Sequence, residues 1–327
     1  MQAIVLVGGE GTRLRPLTES VPKPALTLVD RPFLAYMVEW LGTHGVTEAV
    51  LACGFLPDQL REALGEGRHK GVKLTYVTEP DRRGTAGAIR FAAEALGDRL
   101  EDRFLALNGD VLTDLDLTRV QQAHARSGAR ATLGLYEVED SSAYGLVECA
   151  PSGEVLDFTE KTGEPVPGRI SAGAYVLERE VLDLIPAGVE CSIEREVFPQ
   201  LIGAGLYAEL LAGYWMDIGT PDRYLQATWD ILEGAVETAV RPTAPGVFVG
   251  DSCNVAASAR IDEHTVVAPG CTIGAAAEVT GSVLLDGCEI GAGARVRGSI
   301  LAPGAAVESG AEVIDKMVGA NERVLAA

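Results

Sequence analysis

Along roughly the last 80 residues of this chain, aliphatic residues recur at every sixth position: Val249, Val255, Ile261, Val267, Ile273 and Val279. The register then slips by one to give Leu284, Ile290 and Val296, and slips again to give Leu301, Val307 and Val313. Glycines and small residues fill most of the spacing, and no helical period survives. A hexapeptide period is the signature of a parallel β-helix, in which each hexad makes one face of a triangular coil. Twelve such rungs, three to a coil, predict about four coils, and a coil corner absorbs each one-residue deletion. Cys253, Cys271 and Cys288 each stand four residues after a rung aliphatic. They are therefore expected to stack as small residues in equivalent slots, since buried free cysteine behaves as a small hydrophobe.

The rest of the chain has a different rhythm. Ala3–Val7, Ala49–Ala52, Lys73–Thr78 and Phe104–Leu107 are brief apolar runs bounded by turn residues and read as buried strands. Phe33–Thr43, Asp58–Leu64, Thr85–Leu96 and Leu117–Arg126 lie between them with helical length and spacing. Strand–helix alternation argues for a parallel sheet covered on both faces, with ligands beyond the carboxyl ends of the strands. The stretches to search are therefore Gly8–Leu14, Glu79–Gly87 and Asn108–Asp110. Pro-Thr-Ala-Pro at 242–245 marks the junction between the two patterns. The expected division is an α/β domain over 1–235, a linker over 236–246 and a β-helix over 247–327.

Composition narrows the partners. With 27 Lys and Arg against 47 Asp and Glu, the net charge is −20. A surface so acidic repels a nucleic-acid backbone, whereas a few local cations and backbone N–H groups still suffice for one phosphate group. No apolar run reaches the ~18 residues a membrane span needs, and the N-terminus lacks a basic region before its short apolar run. Six cysteines without a C-x-x-C pair do not form a disulfide framework or a zinc site. The expectation is a cytoplasmic protein with no nucleic-acid or membrane partner.

Directly after the first strand comes Gly8-Gly9-Glu10-Gly11-Thr12-Arg13-Leu14-Arg15-Pro16-Leu17-Thr18. Clustered glycines let the backbone approach a ligand closely, and Arg13 adds a planar cation suited to phosphate oxygens. The Gly-Lys-Ser/Thr ending of a P-loop is missing, and Leu14 stands where a dinucleotide fingerprint has its third glycine. The loop, followed by Pro22-Lys23-Pro24, resembles the sugar-1-phosphate nucleotidyltransferases. That resemblance continues through Glu79-Pro80, Gly84-Thr85-Ala86-Gly87, Asn108-Gly109-Asp110, Tyr144-Gly145 and Phe158-Thr159-Glu160-Lys161. It runs on to Ser171-Ala172-Gly173-Ala174-Tyr175 and Trp215-Met216-Asp217-Ile218-Gly219-Thr220. Ser192–Pro199 and Gly213–Pro221 look most like the mannose-1-phosphate guanylyltransferases. The fold implied is a Rossmann-like α/β domain with a mixed, mostly parallel sheet, followed by a left-handed parallel β-helix.

The resemblance implies attack by a sugar-1-phosphate oxygen on the α-phosphorus of a nucleoside triphosphate, with release of pyrophosphate. A phosphate monoester is already anionic near neutral pH, so positioning and electrostatics carry the catalysis. Arg13, Lys23, Asp110, Lys161 and Asp217 are the catalytic residues by this likeness, and Asp110 with Asp217 is the pair expected to hold Mg2+. The nucleotide falls to Leu6, Gly8, Gly9, Gly11, Thr12, Arg13, Glu79, Gly84, Thr85, Asn108 and Gly109. The sugar phosphate falls to Tyr144, Gly145, Glu160, Lys161, Ser171 and Gly173. Glu79 stands where thymidylyl and uridylyl relatives typically have glutamine. A carboxylate only accepts hydrogen bonds, which suits guanine N1–H and its 2-amino group, so GTP is favoured.

Ser171 replaces the family's usual asparagine, Thr162 its usual proline, and Arg82-Arg83 precede Gly84 where leucine is more typical. The sugar is therefore less defined than the base: mannose-1-phosphate leads, with glucose-1-phosphate or a cyclitol phosphate as alternatives. A thymidylyl-, uridylyl- or adenylyltransferase is the alternative within the class, and a non-catalytic nucleotide-sugar sensor the alternative outside it. Acyl transfer by the β-helix is a third reading, disfavoured because the repeat offers only His264, expected to face solvent. A homodimer is the expected assembly.

Overall fold

The apolar run after Met1 forms the central strand β1 (Gln2–Leu6) of a ten-stranded sheet. The computed structural model describes residues 1–159, 163 and 165–326. The remaining strands are β2 (Glu48–Cys53), β3 (Arg68–His69), β4 (Val72–Thr78), β5 (Arg103–Asn108) and β6 (Ala131–Val138). They continue with β7 (Leu146–Cys149), β8 (Val155–Thr159), β9 (Gly168–Glu178) and β10 (Leu206–Leu210). The order is β8-β7-β9-β5-β1-β2-β4-β3, with β6 paired to β9 and β10 paired to β6. The part read from strand–helix alternation, β5-β1-β2-β4, is parallel. Beyond it β9 runs antiparallel to both β5 and β6, which makes the sheet mixed.

Helices α1 (Phe33–Thr43), α2 (Pro57–Leu64), α3 (Gly84–Leu96) and α4 (Leu117–Ser127) fall where the periodicity places them. Helix α4 starts because the Asp116 side chain accepts from Thr118 N–H, and it stops at Gly128 in the left-handed conformation. The fully buried Ile4, Val50 and Ala106 of the sheet pack in one core with Ile89 and Ala92 of α3. Covering of this kind is why the parallel strands read as continuous apolar runs.

Packing divides the chain into two compact units, the first made of Met1–Gly9 and Met37–Trp215. The second joins Glu10–Tyr36 to Met216–Ala327 and holds helix α5 (Pro221–Glu233) and the repeat. The repeat folds as three parallel ladders of five, five and four short strands, consistent with a left-handed β-helix. Val249, Val267, Leu284, Leu301 and Val318 mark one ladder. The last coil, with Met317–Val318 and Arg323–Val324, lies beyond the twelve rungs read from sequence. Cys271 and Cys288 are fully buried, with Ala305 in the equivalent slot one coil on. Their thiols donate to the carbonyls of Leu285 and Ala302, each at 3.3 Å, and that of Cys253 donates to Ala268 at 3.2 Å.

His264, expected to face solvent, is partly exposed and also held by a neighbouring helix. It occupies a coil corner at φ 59°, stacks on Trp229 of α5 at 5.0 Å, and places Nε2 2.5 Å from Glu233 Oε1. The helix thus occupies the histidine. All six cysteines are free. Among the described residues, no helix is long and apolar enough to cross a membrane.

Candidate active site

In the first unit, the carboxyl ends of β1, β2, β4 and β5 bring several of the expected residues together. Gly8 follows β1 and crosses Gly54, where an added Cβ would lie 3.0 Å from the Gly8 carbonyl. A Cβ on Gly8 would lie 3.7 Å from Glu79 Oε1, so the carboxyl borders the glycine loop. Glu79 N–H donates to Cys53 O at 2.8 Å, which fixes the residue at the end of β4. Burial raises the Glu79 carboxyl above its ordinary value, with Arg83 pulling the other way. Nothing lies within 4 Å of a Cβ on Gly9, so the backbone there is open to approach.

At the end of β5, Gly109 N–H donates to Leu6 O at 2.9 Å. A Cβ on Gly109 would fall 2.6 Å from that same oxygen, so only glycine fits ahead of Asp110. Asn108 pairs in register with Leu6, and its amide packs on Gly173. Gly173 (φ 71°) sits in the bulge of β9, where the register with β6 shifts between Ser171 and Tyr175. Trp215 Nε1 donates to Ala172 O at 2.9 Å, with Tyr136 stacked on the indole and Tyr144 edge-on. A Cβ on Gly145 would lie 3.0 Å from Thr159 O, so Gly145 borders the residue before Glu160. Glu160, Lys161 and Thr162 lie outside the described residues.

The start of helix α3 is tied to the segment around Cys191. Gly84 is at φ 66°, and the N–H groups of Ala86 and Gly87 donate to Cys191 O at 2.9 and 3.3 Å. The Thr85 hydroxyl turns inward: it accepts from Ile193 N–H and donates to Glu194.

The second unit gathers cations. Gly11 is left-handed at φ 63°, and its carbonyl accepts from the buried Thr18 hydroxyl at 2.8 Å. That turn leads into the short helical turn Thr12–Leu14. The Arg13 guanidinium lies over Gly219, where an added Cβ would stand 2.6 Å from Nη2. Lys23 is buried to 7% exposure, a rare state for lysine without a partner. Its Nζ lies 3.6 Å from Asp217 Oδ1, and Arg223 Nη1 lies 3.6 Å from Oδ2. Arg13, Lys23 and Arg223 thus cluster with one carboxylate, an arrangement suited to polyanionic phosphate. Arg223 escaped the sequence reading. It stands in the first turn of α5, where the Thr220 side chain caps the helix and Pro221 starts it.

Asp110 and Asp217 each offer carboxylate oxygens, the donor chemistry that a divalent ion takes. Aspartate oxygens are hard ligands, and among the described residues no cluster of three or more metal-binding side chains exists. Two carboxylates are what Mg2+ commonly takes from a protein, with phosphate oxygens and water completing its shell.

A strand-end glycine loop beside a carboxyl, with a separate cluster of fixed cations, defines a nucleotide-handling protein of the α/β class. The chain belongs to the nucleotidyl transferase family, whose profile matches residues 2–234, and residues 243–325 match the GMPPB C-terminal domain. It is 38% identical to the mannose-1-phosphate guanylyltransferase of Mycobacterium tuberculosis over 290 residues, spanning 88% of this chain and 80% of that protein. It is 36% identical to the mannose-1-phosphate guanyltransferase of Schizosaccharomyces pombe over 275 residues, 83% of this chain and 74% of that one. The crystal structure of HddC from Yersinia pseudotuberculosis complexed with GMP-PN superposes with a TM-score of 0.60 at 26% identity. That match covers 70% of this chain and 99% of HddC. Members of the family generally use a divalent metal.

Proposed function

We propose that this enzyme transfers GMP from GTP to mannose-1-phosphate, making GDP-mannose and pyrophosphate with Mg2+ as its metal. The observation that carries the choice of base is the Glu79 carboxyl bordering the glycine loop at Gly8. An acceptor-only group there matches guanine N1–H and the 2-amino group, and it opposes the N1 lone pair of adenine. The names of the curated relatives point to the same donor and acceptor.

In the reaction, a phosphate oxygen of mannose-1-phosphate forms a bond to the α-phosphorus of GTP. The bond from that phosphorus to the bridging oxygen breaks, and pyrophosphate leaves with the electron pair. No general base is needed, because the attacking oxygen is already anionic near neutral pH. Arg13 and Lys23 hold triphosphate oxygens and neutralise developing charge, and Arg223 flanks Asp217 on its other side. Asp110 and Asp217 would hold the magnesium ion, which supplies charge neutralisation on the phosphates. Lys161 and Glu160 take the sugar phosphate and sugar hydroxyls by resemblance. A cytoplasmic homodimer completes the reading, and six unpaired cysteines fit a reducing compartment.

The test is pyrophosphate release with Mg2+, crossing five nucleoside triphosphates with mannose-1-phosphate, glucose-1-phosphate and a cyclitol phosphate. Turnover confined to GTP with mannose-1-phosphate is expected. Faster turnover with another nucleotide would overturn the assignment of Glu79, and a faster acceptor would overturn the sugar. Sedimentation of the pure protein decides the dimer.

A further inference from the structure

Three hydroxyls of the first unit converge on one carboxylate. Thr85 Oγ1 donates to Glu194 Oε2 at 2.9 Å, and Ser192 Oγ donates to the same oxygen at 3.0 Å. Tyr175 OH donates to Glu194 Oε1, also at 3.0 Å. The contacts extend outward on both sides. Ile193 N–H donates to Thr85 Oγ1 at 2.9 Å, Ser171 Oγ to the Tyr175 oxygen at 3.2 Å, and Gly173 N–H to Ser171 Oγ at 3.2 Å.

Chemistry fixes the direction of every bond. A carboxylate only accepts, so each hydroxyl touching it must donate. Tyr175 has one proton and directs it to Glu194, so its oxygen can only accept from Ser171. Complete burial, then the nearby Glu194, hold the tyrosine pKa well above 10, so the phenol keeps that proton. Every hydroxyl proton in the chain therefore points toward Glu194. Thr85 and Ser171 in turn accept from the backbone N–H groups of Ile193 and Gly173.

We propose that Glu194 is a positioning residue that couples the start of α3, on the nucleotide side, to the bulge of β9, on the sugar-phosphate side. This rests on the assignment of those two segments in the proposed function. Thr85 and Glu194 are 109 residues apart, and Tyr175 and Glu194 are 19 apart. Glu194 is the one member that accepts from both sides. It is carried by a single π-helical turn, Ile193–Val197, a local irregularity of the kind that recurs at functional sites. From the bulge, Gly173 packs on Asn108, two residues before Asp110.

The experiment measures KM for both substrates in wild type, Glu194→Gln, Thr85→Val, Tyr175→Phe and the Thr85→Val/Tyr175→Phe double variant. It uses whichever nucleotide and sugar phosphate turn over fastest, so a different base or sugar changes the reagents and not the comparison. Glu194→Gln is isosteric and is expected to raise both KM values about tenfold with an unchanged melting temperature. Thr85→Val should act mainly on the nucleotide KM and Tyr175→Phe mainly on the sugar-phosphate KM. Their effects should fall short of multiplying in the double variant, the sign of a shared partner. Glu194→Gln leaving either KM within twofold of wild type, or single effects that multiply, would overturn the proposal. Should Glu194→Gln not fold, the Thr85–Tyr175 cycle decides alone, because each of those variants removes only a hydroxyl.

Discussion

Glu79 combines two demands that pull in opposite directions: burial raises its carboxyl pKa from 4.5, and the base reading proposed for it needs the carboxylate ionised. The sign is definite. As pH falls, Glu79 takes up its proton earlier than an exposed carboxyl would, and the acceptor is lost. We therefore expect kcat/KM for GTP to drop on acidification with an onset above pH 4.5, and Glu79→Gln to lack that limb while discriminating bases less well. Glu48 shows the reverse case. Burial pushes its carboxyl up, but hydrogen bonds from Lys73, Thr75 and Gln2 hold it at about 2. Its contribution to stability is complete above the ordinary value of 4.5 and is lost as pH falls toward 2. Glu48→Gln should thus cost about 1–2 kcal/mol in urea titrations at neutral pH and nearly nothing below pH ~2. Arg13, Lys23 and Asp217 were singled out because each stands in a short motif that resembles the family's. Arg223 and Glu194 were not. Glu194 acts through a partner that only the fold brings near, Thr85, 109 residues away, whereas Arg223 lies close to Asp217 in sequence but stands outside every motif that was read.

Elements were legible where one period governs them. Helix α1 spans Phe33–Thr43, the predicted range, because its apolar spacing and flanking turn residues agree. The six-residue period likewise assigned twelve rungs of the β-helix. It stopped short of the last coil, which Val318 begins after the same five-residue slip and the polar pair Asp315-Lys316. The antiparallel strands β6 to β9 carried no helix between them to reveal their pairing. Within the coils, slot size is the constraint, and Ala305 already fills the slot equivalent to Cys288. Cys288→Ala is therefore expected to cost about 1 kcal/mol, and Cys288→Phe several times that through overpacking, both read by denaturant titration. The native thiols of Cys271 and Cys288 should stay unreactive toward a thiol reagent until the protein unfolds.

At the scale of the whole molecule, the expected boundary near residue 236 follows the sequence pattern, whereas the packing groups Glu10–Tyr36 with Met216–Ala327. No periodicity could announce this, since it depends on contacts between chain ends. Within the second unit, a Cβ on Gly319 in the last coil would lie 3.7 Å from Pro16, three residues after Arg13. Glu322 accepts from Gly319 N–H at 2.7 Å and holds that corner. A bulky side chain there should push on the loop that carries Arg13. Gly319→Leu is expected to lower kcat about tenfold with an unchanged melting temperature, and Gly319→Ala to change it less than twofold. Steady-state kinetics beside thermal melts of both variants check this.

The same grouping bears on how the enzyme comes into being. Arg13 and Lys23 are synthesised roughly 200 residues ahead of Asp217 and Arg223, and the coil holding Gly319 follows later still. At roughly 5–20 residues per second, the cationic cluster waits some tens of seconds for its partners. A nascent chain therefore carries Lys23 without its Asp217 partner until the later segment emerges, and a chain released before that lacks Asp217 altogether.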